Sequence, residues 1–430
     1  MSNFLALLIT FFLLLSSCHR TIKSPAPKYA ALPQLSKNLA VCESEEQQIE
    51  VYWGYVKQWF YWRHALPDTM PDADNIESLI AQIKDYARQD KWTQVNPLSH
   101  YQQLIQGHSY KSLGLKVGLS EDKSALVVLD IFSDSAARSS SRESIARGDN
   151  IIFVNDRQIA HWLATDKQGL QAIFSSLPDT TNAQVTLEWL DQQGNLHRGQ
   201  FTPSTIRPSS IRASQTLTLN DQTVGYLAYD SFDLPSITEL NRLFVAFKKQ
   251  QVKELIVDLR YNGGGTASVA NHLASLIAGS QVQGKVFNRK SHNPSKAYGD
   301  ISTEFLTLAS NSTLNLTRLF VLTTQRTASA SELLINSLKP FIQVITIGQT
   351  TAGKPIGMQV SQLCQQVFFT STHLNVNAEG QGHFFNGIPP TCEVQDQAQY
   401  AYGDKDDPFV QKVQNYISNN SCDRQNQSQE

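Results

Sequence analysis

Three short stretches carry residue types able to do chemistry: TASASELL (Thr327–Leu334), GQTTAGK (Gly348–Lys354) and DLRYNGGG (Asp258–Gly265). In the first, Ser329-x-x-Glu332 ahead of Leu333, Leu334 and Ile335 is a capping-box pattern, in which side chains satisfy orphan helix N–H groups. The same serine is a nucleophile if a base removes its proton. On this stretch alone, helix capping is the simpler reading. The second stretch follows an apolar run and has the spacing of a phosphate loop. Pro355 stands where Ser or Thr would hold magnesium, and Pro355-Ile356-Gly357 is poor material for the helix that receives the phosphate, which argues against a nucleotide. What remains is Lys354, flanked by the uncharged Thr351, Ala352, Pro355 and Ile356, which permit its burial. A lysine acts as a base only when neutral, so its pKa must fall from ~10.4 toward roughly 7–8. In the third stretch, glycines let backbone N–H groups converge and a substrate approach closely, as an oxyanion hole requires. Asp258 and Arg260 read as supports of that turn, and none of the ten histidines sits in a triad context.

These residues need a scaffold, and the patterning from about Ser209 supplies one. TVGYLAYDSF, a helical run from Ser236 to Lys249, the apolar ELIVDL, a helix from Thr266 to Ile277, RLFVLTT, SELLINSL ended by Pro340 and QVITIG alternate strand with helix. Such alternation predicts an α/β core with a largely parallel sheet. From Leu104 to Thr205 the pattern changes to short β-runs, ALVVLDIF, NIIFVN and AQVTLEWL, with one helical stretch, KQGLQAIFSSL. This segment resembles a PDZ domain. The residues that carry the likeness are LGLKVG (Leu113–Gly118), as carboxylate-binding loop and first strand, and Asp134–Ile159, with Gly148-Asp149 at the turn; the insertion SSSRES departs from it. The resemblance implies peptide binding at Leu113, Gly114, Leu115, Lys116 and Val117, where backbone donors capture a C-terminal carboxylate. Between Cys42 and Pro97 the pattern is helical: Tyr52, Trp53, Val56, Trp59, Phe60 and Trp62 recur at helix-like spacing, and a later run keeps Ile76, Leu79, Ile80, Ile83 and Tyr86 on one face.

Taken in order after a PDZ-like segment, DLRYNGGG, TASASE and TTAGK resemble the C-terminal processing peptidases, the tail-specific protease family, over roughly residues 50 to 400. The resemblance implies a Ser329–Lys354 dyad, since the family places its lysine 25 residues after the serine and 354 − 329 = 25. It also implies oxyanion donors at the backbone N–H groups of Gly264 and Ala330, and substrates that are proteins or peptides with free C-termini. No cofactor, metal or nucleotide is called for. The family commonly carries a glutamine four residues after the lysine; here Met358 is fourth and Gln359 fifth, so Gln359 orients Lys354 only if the strand bulges. The expected fold is multidomain α+β: a helical domain at 41–103, a PDZ-like β-rich domain at 104–205, and an α/β serine-peptidase core of ClpP/crotonase-like type at 210–415. The rival from another class is a catalytically weak or inactive scaffold that binds partners through the PDZ-like groove.

The 430 residues, 41% of them apolar, suffice for two or three cores, and 36 basic against 38 acidic residues give no global field for nucleic acid. An apolar run from Leu5 to Leu15 is too short to span a bilayer and has the length of a signal-peptide core, expected at 1–18. Leu15-Ser16-Ser17-Cys18 resembles a lipoprotein lipobox, although no Lys or Arg precedes the core. That implies lipidation at Cys18, a tether over 19–40 and a place in a bacterial envelope facing the periplasm or exterior; His19 points to the outer membrane. The other cysteines, Cys42, Cys364, Cys392 and Cys422, are even in number and predict two disulfides in an oxidising compartment. Of three connectivities, Cys364 with Cys392 is preferred, both lying in a late β-rich region. Residues 416–430 read as a polar tail.

Overall fold

The computed structural model describes residues 32–99, 101, 110–132, 135, 137, 145–175, 177, 184–206, 209–294 and 300–422. The expected signal peptide, Cys18 and most of the expected tether lie outside them.

Near its start the chain forms helices α1 (Glu45–Trp59) and α2 (Ile76–Tyr86), then strand β1 (Gln94–Pro97). Ser44 caps α1 through Gln47 N–H and Asn75 caps α2 through Ser78 N–H, which satisfies donors that a helix start leaves orphaned. A β-rich region follows, with a short pair β2 (Tyr110–Ser112) and β9 (Ser204–Ile206). Its main sheet has the order β3 (Leu115–Leu119), β4 (Leu126–Ile131), β5 (Asn150–Val154), β7 (Val185–Leu190), β8 (Leu196–Phe201), with β6 (Arg157–Gln158) paired to β5. Helices α3 (Ile159–Thr165) and α4 (Lys167–Ser175) accompany it, and Leu113, Leu115, Val128, Ile151, Leu187 and Trp189 form its own core. Strand β3 is an edge of this sheet.

The central sheet runs β10 (Ile211–Leu219), β11 (Gln222–Tyr229), β12 (Glu254–Asp258), β15 (Arg318–Thr323), β16 (Gln343–Gly348), β19 (Cys392–Glu393). Only β10 and β11 pair antiparallel; the other four pairings are parallel, as the alternation predicts. Every residue of β12 is buried, which explains a continuous apolar run in place of a period of two. One face packs against α5 (Ser236–Lys249), α6 (Ala267–Ala278) and α7 (Ala330–Leu338), burying among others Phe244, Leu273 and Leu334. The opposite face packs against α8 (Pro408–Asn419) through Phe409, Val410 and Val413.

The remaining strands build a second sheet, and here the expectation of a separate helical domain is corrected. Its order is β1, β18 (Gln366–Val376), β13 (Val286–His292), β14 (Ile301–Glu304), with β17 (Ile356–Leu363) also paired to β18. Tyr52, Val56, Leu79 and Ile83 of the two N-terminal helices share one core with Ile356, Phe368 and Leu374 of this sheet. Segments from the two ends of the chain therefore form one layer. Disulfide pairing is corrected with it: Cys42 bonds Cys364 and Cys392 bonds Cys422, with Cα–Cα separations of 5.5 and 5.4 Å. Helix α8 runs to Asn419, so the polar tail does not begin at 416.

Candidate active site

Ser329 ends the loop that leaves β15 and is the N-cap of α7, a helix whose nine residues are all buried. Its φ of 57° and ψ of −112° lie in a region that L-residues avoid, at a cost of order 1–3 kcal/mol that the surroundings must enforce. They do so by stitching this loop to the glycine turn. Thr327 Oγ1 donates to the Leu259 carbonyl (2.8 Å), Ala328 N–H and Ser331 Oγ both donate to the Asn262 carbonyl (3.1 and 3.0 Å), and Thr324 Oγ1 donates to the Arg260 carbonyl.

Glu332 makes the connection that sequence reasoning missed. Its fully buried carboxylate accepts the Ser329 N–H and the Lys354 N–H on one oxygen, each at 2.8 Å, and the Gly353 N–H (2.7 Å) and Thr351 hydroxyl (2.5 Å) on the other. Two segments 25 residues apart are thus held by one side chain. Burial pushes the Glu332 pKa up, and these four donors pull against it. The signal was present as Ser-x-x-Glu, but a capping box explains only the Ser329 bond.

Lys354 has its backbone fixed by Glu332 and its side chain largely withdrawn from water. Desolvation lowers its pKa, while the carboxylates of Glu332 and Asp90 act in the opposite sense. Among the described residues no hydrogen bond or ion pair engages its ammonium nitrogen. Burial of Thr351, Pro355 and Ile356 around it agrees with their uncharged character.

Gly264 reaches the serine. Its φ is +109°, and a Cβ built on it would stand 2.7 Å from Ser329 Cβ and 3.0 Å from Ala330 N. The Ala330 N–H is at the first helical position, where no intrahelical acceptor exists. The Gly264 N–H, however, donates to Asn262 Oδ1 at 2.8 Å, because asparagine in a turn bonds the N–H two residues on. Gly264 is therefore in place but not free, a correction to its reading as a ready donor. Arg260 is buried beneath the turn, bonded to Asp258 (2.7–3.1 Å), 3.0 Å from Asp407 and lying over the Phe409 ring, which bears out its structural reading.

Gln359 does not take its expected place, and the residues of the PDZ-like loop are largely engaged within the protein. Strand β17 does bulge between Gly357 and Met358, yet Gln359 is exposed and its amide donates to the Val360 carbonyl (3.2 Å), with no bond to Lys354. In the β-rich region Leu113 and Leu115 are core residues, the Gly114 N–H donates to Ser112 Oγ (3.0 Å), and Lys116 turns toward the central core. There it pairs with Asp230 and donates to the Tyr261 carbonyl (2.8 Å), next to the glycine turn. Val117 is part of the edge strand, half-buried.

Residues 223–394 match Peptidase family S41. The chain is 22% identical over 249 residues to the carboxy-terminal processing protease CtpB of Bacillus subtilis (strain 168), covering 57% of this chain and 47% of that protein. It thus spans about half the length of this curated relative. Among solved structures, a putative S41 protease from Bacteroides fragilis NCTC 9343 superposes with a TM-score of 0.66 at 19% identity, covering 85% of this chain and 96% of that one. A photosystem II D1 C-terminal processing protease gives 0.53 at 19% identity over 89% and 99%. At these identities the structural likeness concerns the fold.

Proposed function

With a peptidase family S41 domain at residues 223–394 as the premise, we propose that this protein is a serine peptidase that cleaves peptide bonds through an acyl-enzyme on Ser329, with Lys354 as its base. One observation carries the reading: a single Glu332 oxygen accepts the N–H groups of both Ser329 and Lys354. Neutral Lys354 takes the hydroxyl proton as Ser329 Oγ attacks the carbonyl carbon, and the ammonium so formed protonates the departing amine. Water then hydrolyses the ester, its proton passing back through the lysine. The Ala330 N–H at the start of α7 and the Gly264 N–H, once it exchanges Asn262 for substrate, face the developing oxyanion; such a donor is worth about 10²–10³ in rate. The start of a helix also favours negative charge on the serine oxygen.

The substrates would be extracytoplasmic proteins selected by their C-termini, with the β-rich region at 104–205 serving as a PDZ-like reader along the edge of β3. Two disulfides support an oxidising location, and lipidation at Cys18 would hold the protein to a bacterial membrane. The scaffold alternative is favoured by the occupied Gly264 N–H and by the exposed Gln359.

Turnover of a peptide with a free C-terminus separates the two. Ser329→Ala and Lys354→Arg are each expected to lose at least about 10³-fold in kcat, the second because a guanidinium stays protonated. Wild-type kcat/KM should rise with pH through an apparent pKa below that of free lysine, since desolvation lowers the Lys354 pKa. No turnover by the wild type would leave the scaffold reading, and full turnover by Ser329→Ala would remove Ser329 from the chemistry.

A further inference from the structure

Asp90 follows α2 and is 2% exposed. Its Oδ1 is fully used, accepting from Trp92 N–H (3.0 Å), Thr93 N–H (3.1 Å) and Ser371 Oγ (2.9 Å). Its Oδ2 is buried and, among the described residues, has no hydrogen-bond partner. A buried carboxylate oxygen left unbonded destabilises the fold unless a donor comes to it. Ser371, which holds this carboxylate, is the register partner of Met358 across the β17–β18 pair. Met358 is the position where the resemblance places an orienting glutamine, four residues after Lys354. The free acceptor is thus held by β18, the strand facing the one from which the expected acceptor is missing.

We propose that Asp90 is the positioning residue of Lys354: its free Oδ2 accepts a hydrogen bond from the lysine amino group and fixes that side chain for Ser329, in place of the absent glutamine. The inference rests on the peptidase reading above. Asp90 takes no proton in the cycle; Lys354 alone gains one from Ser329 and gives it up, and Asp90 stabilises the ammonium in between. A carboxylate in this role has a consequence that an amide lacks, because it holds the lysine proton more tightly. The charged groups that act on Lys354 are Glu332 from α7 and Asp90, and both oppose the desolvation that lowers its pKa. On the side of α1 the group next to Asp90 is Tyr52, whose hydroxyl shares a hydrogen bond with Thr370 (3.1 Å) and whose pKa burial pushes up, so it stays neutral.

The test is the pH profile of kcat/KM in the full chain, with thermal unfolding as the check on folding. Asp90→Asn keeps an acceptor oxygen and removes the charge, so the acid limb should move to lower pH by roughly one unit. Asp90→Ala should lose about 10–10² in kcat, and adding Met358→Gln should restore part of it, as loss and return of lysine alignment require. A support of the fold alone would move neither the limb nor the rescue. If Asp90→Asn fails to fold, Met358→Gln in the wild-type background decides: a change within about 3-fold fits a lysine already aligned, and a rise of 10-fold or more overturns the proposal. An unshifted limb in folded Asp90→Asn overturns it as well. Should Ser329→Ala be inactive while every Asp90 variant behaves as wild type, this inference fails and the peptidase reading stands; full activity of Ser329→Ala removes both.

Discussion

At the residue scale, the two roles weighed for Ser329 turn out to be compatible, because its N–H and its hydroxyl have separate uses. The N–H donates to the Glu332 carboxylate, and the hydroxyl oxygen accepts the Glu332 N–H in the capping box, which leaves the hydroxyl proton for a base. The serine, the lysine and their 25-residue separation were legible in the sequence. The second half of the Glu332 arrangement was not, since a bond to the Lys354 N–H depends on how two distant segments pack and leaves no local pattern. Glu332→Gln tests that arrangement. It replaces one acceptor oxygen by an NH₂ group facing donors, so stability should fall by about 1–3 kcal/mol and kcat by about 10-fold or more. Thermal unfolding and steady-state turnover measure the two effects; a stable variant with unchanged turnover would show that the serine and lysine align without it.

Elements were legible where a period declares itself. The parallel sheet was read from strands alternating with helices, and α2 from Ile76, Leu79, Ile80 and Ile83, which are buried as predicted, whereas Tyr86 at the end of the same run is exposed. The second sheet was not, because β1, β13, β17 and β18 are far apart in the chain and their apolar residues are shared between neighbouring layers. The glycine turn and the N-terminus of α7 meet as two elements, and the fit allows no side chain between them. Gly264→Ala would place a methyl 2.7 Å from Ser329 Cβ on a backbone of φ +109°. The expected result is a loss of about 1–3 kcal/mol in stability together with at least 10²-fold in kcat. A crystal structure of the inhibited variant with an undisturbed Ser329, or wild-type turnover, would count against this account of the turn.

At the scale of the molecule, a histidine buried in its neutral form makes stability respond to acid. His373 on β18 is 7% exposed, shares a hydrogen bond with Thr372 Oγ1 (2.9 Å), and lies beside His292 with ring centroids 5.4 Å apart. Desolvation first, then the charges of Lys290 and His292, depress its pKa from 6.5 to about 3. The folded state therefore excludes a proton that the unfolded state takes up. Its contribution is complete above about pH 6.5, declines as pH falls, and is lost by about pH 3, a swing on the order of 5 kcal/mol. His373→Gln should flatten the pH dependence of the unfolding midpoint between those limits, and an unchanged slope would assign acid sensitivity elsewhere. Parity of the cysteines was readable in the same global sense, but their pairing was not, because it follows from which strands the N-terminal segment joins. The Cys42–Cys364 bond spans 322 residues, three quarters of the chain, and so turns most of the polypeptide into a covalent hoop. A single cut anywhere inside that hoop opens a ring instead of separating two pieces. Both sides of the nick remain fastened at Cys42 and Cys364, and only a thiol reductant would let a denatured, once-clipped chain come apart.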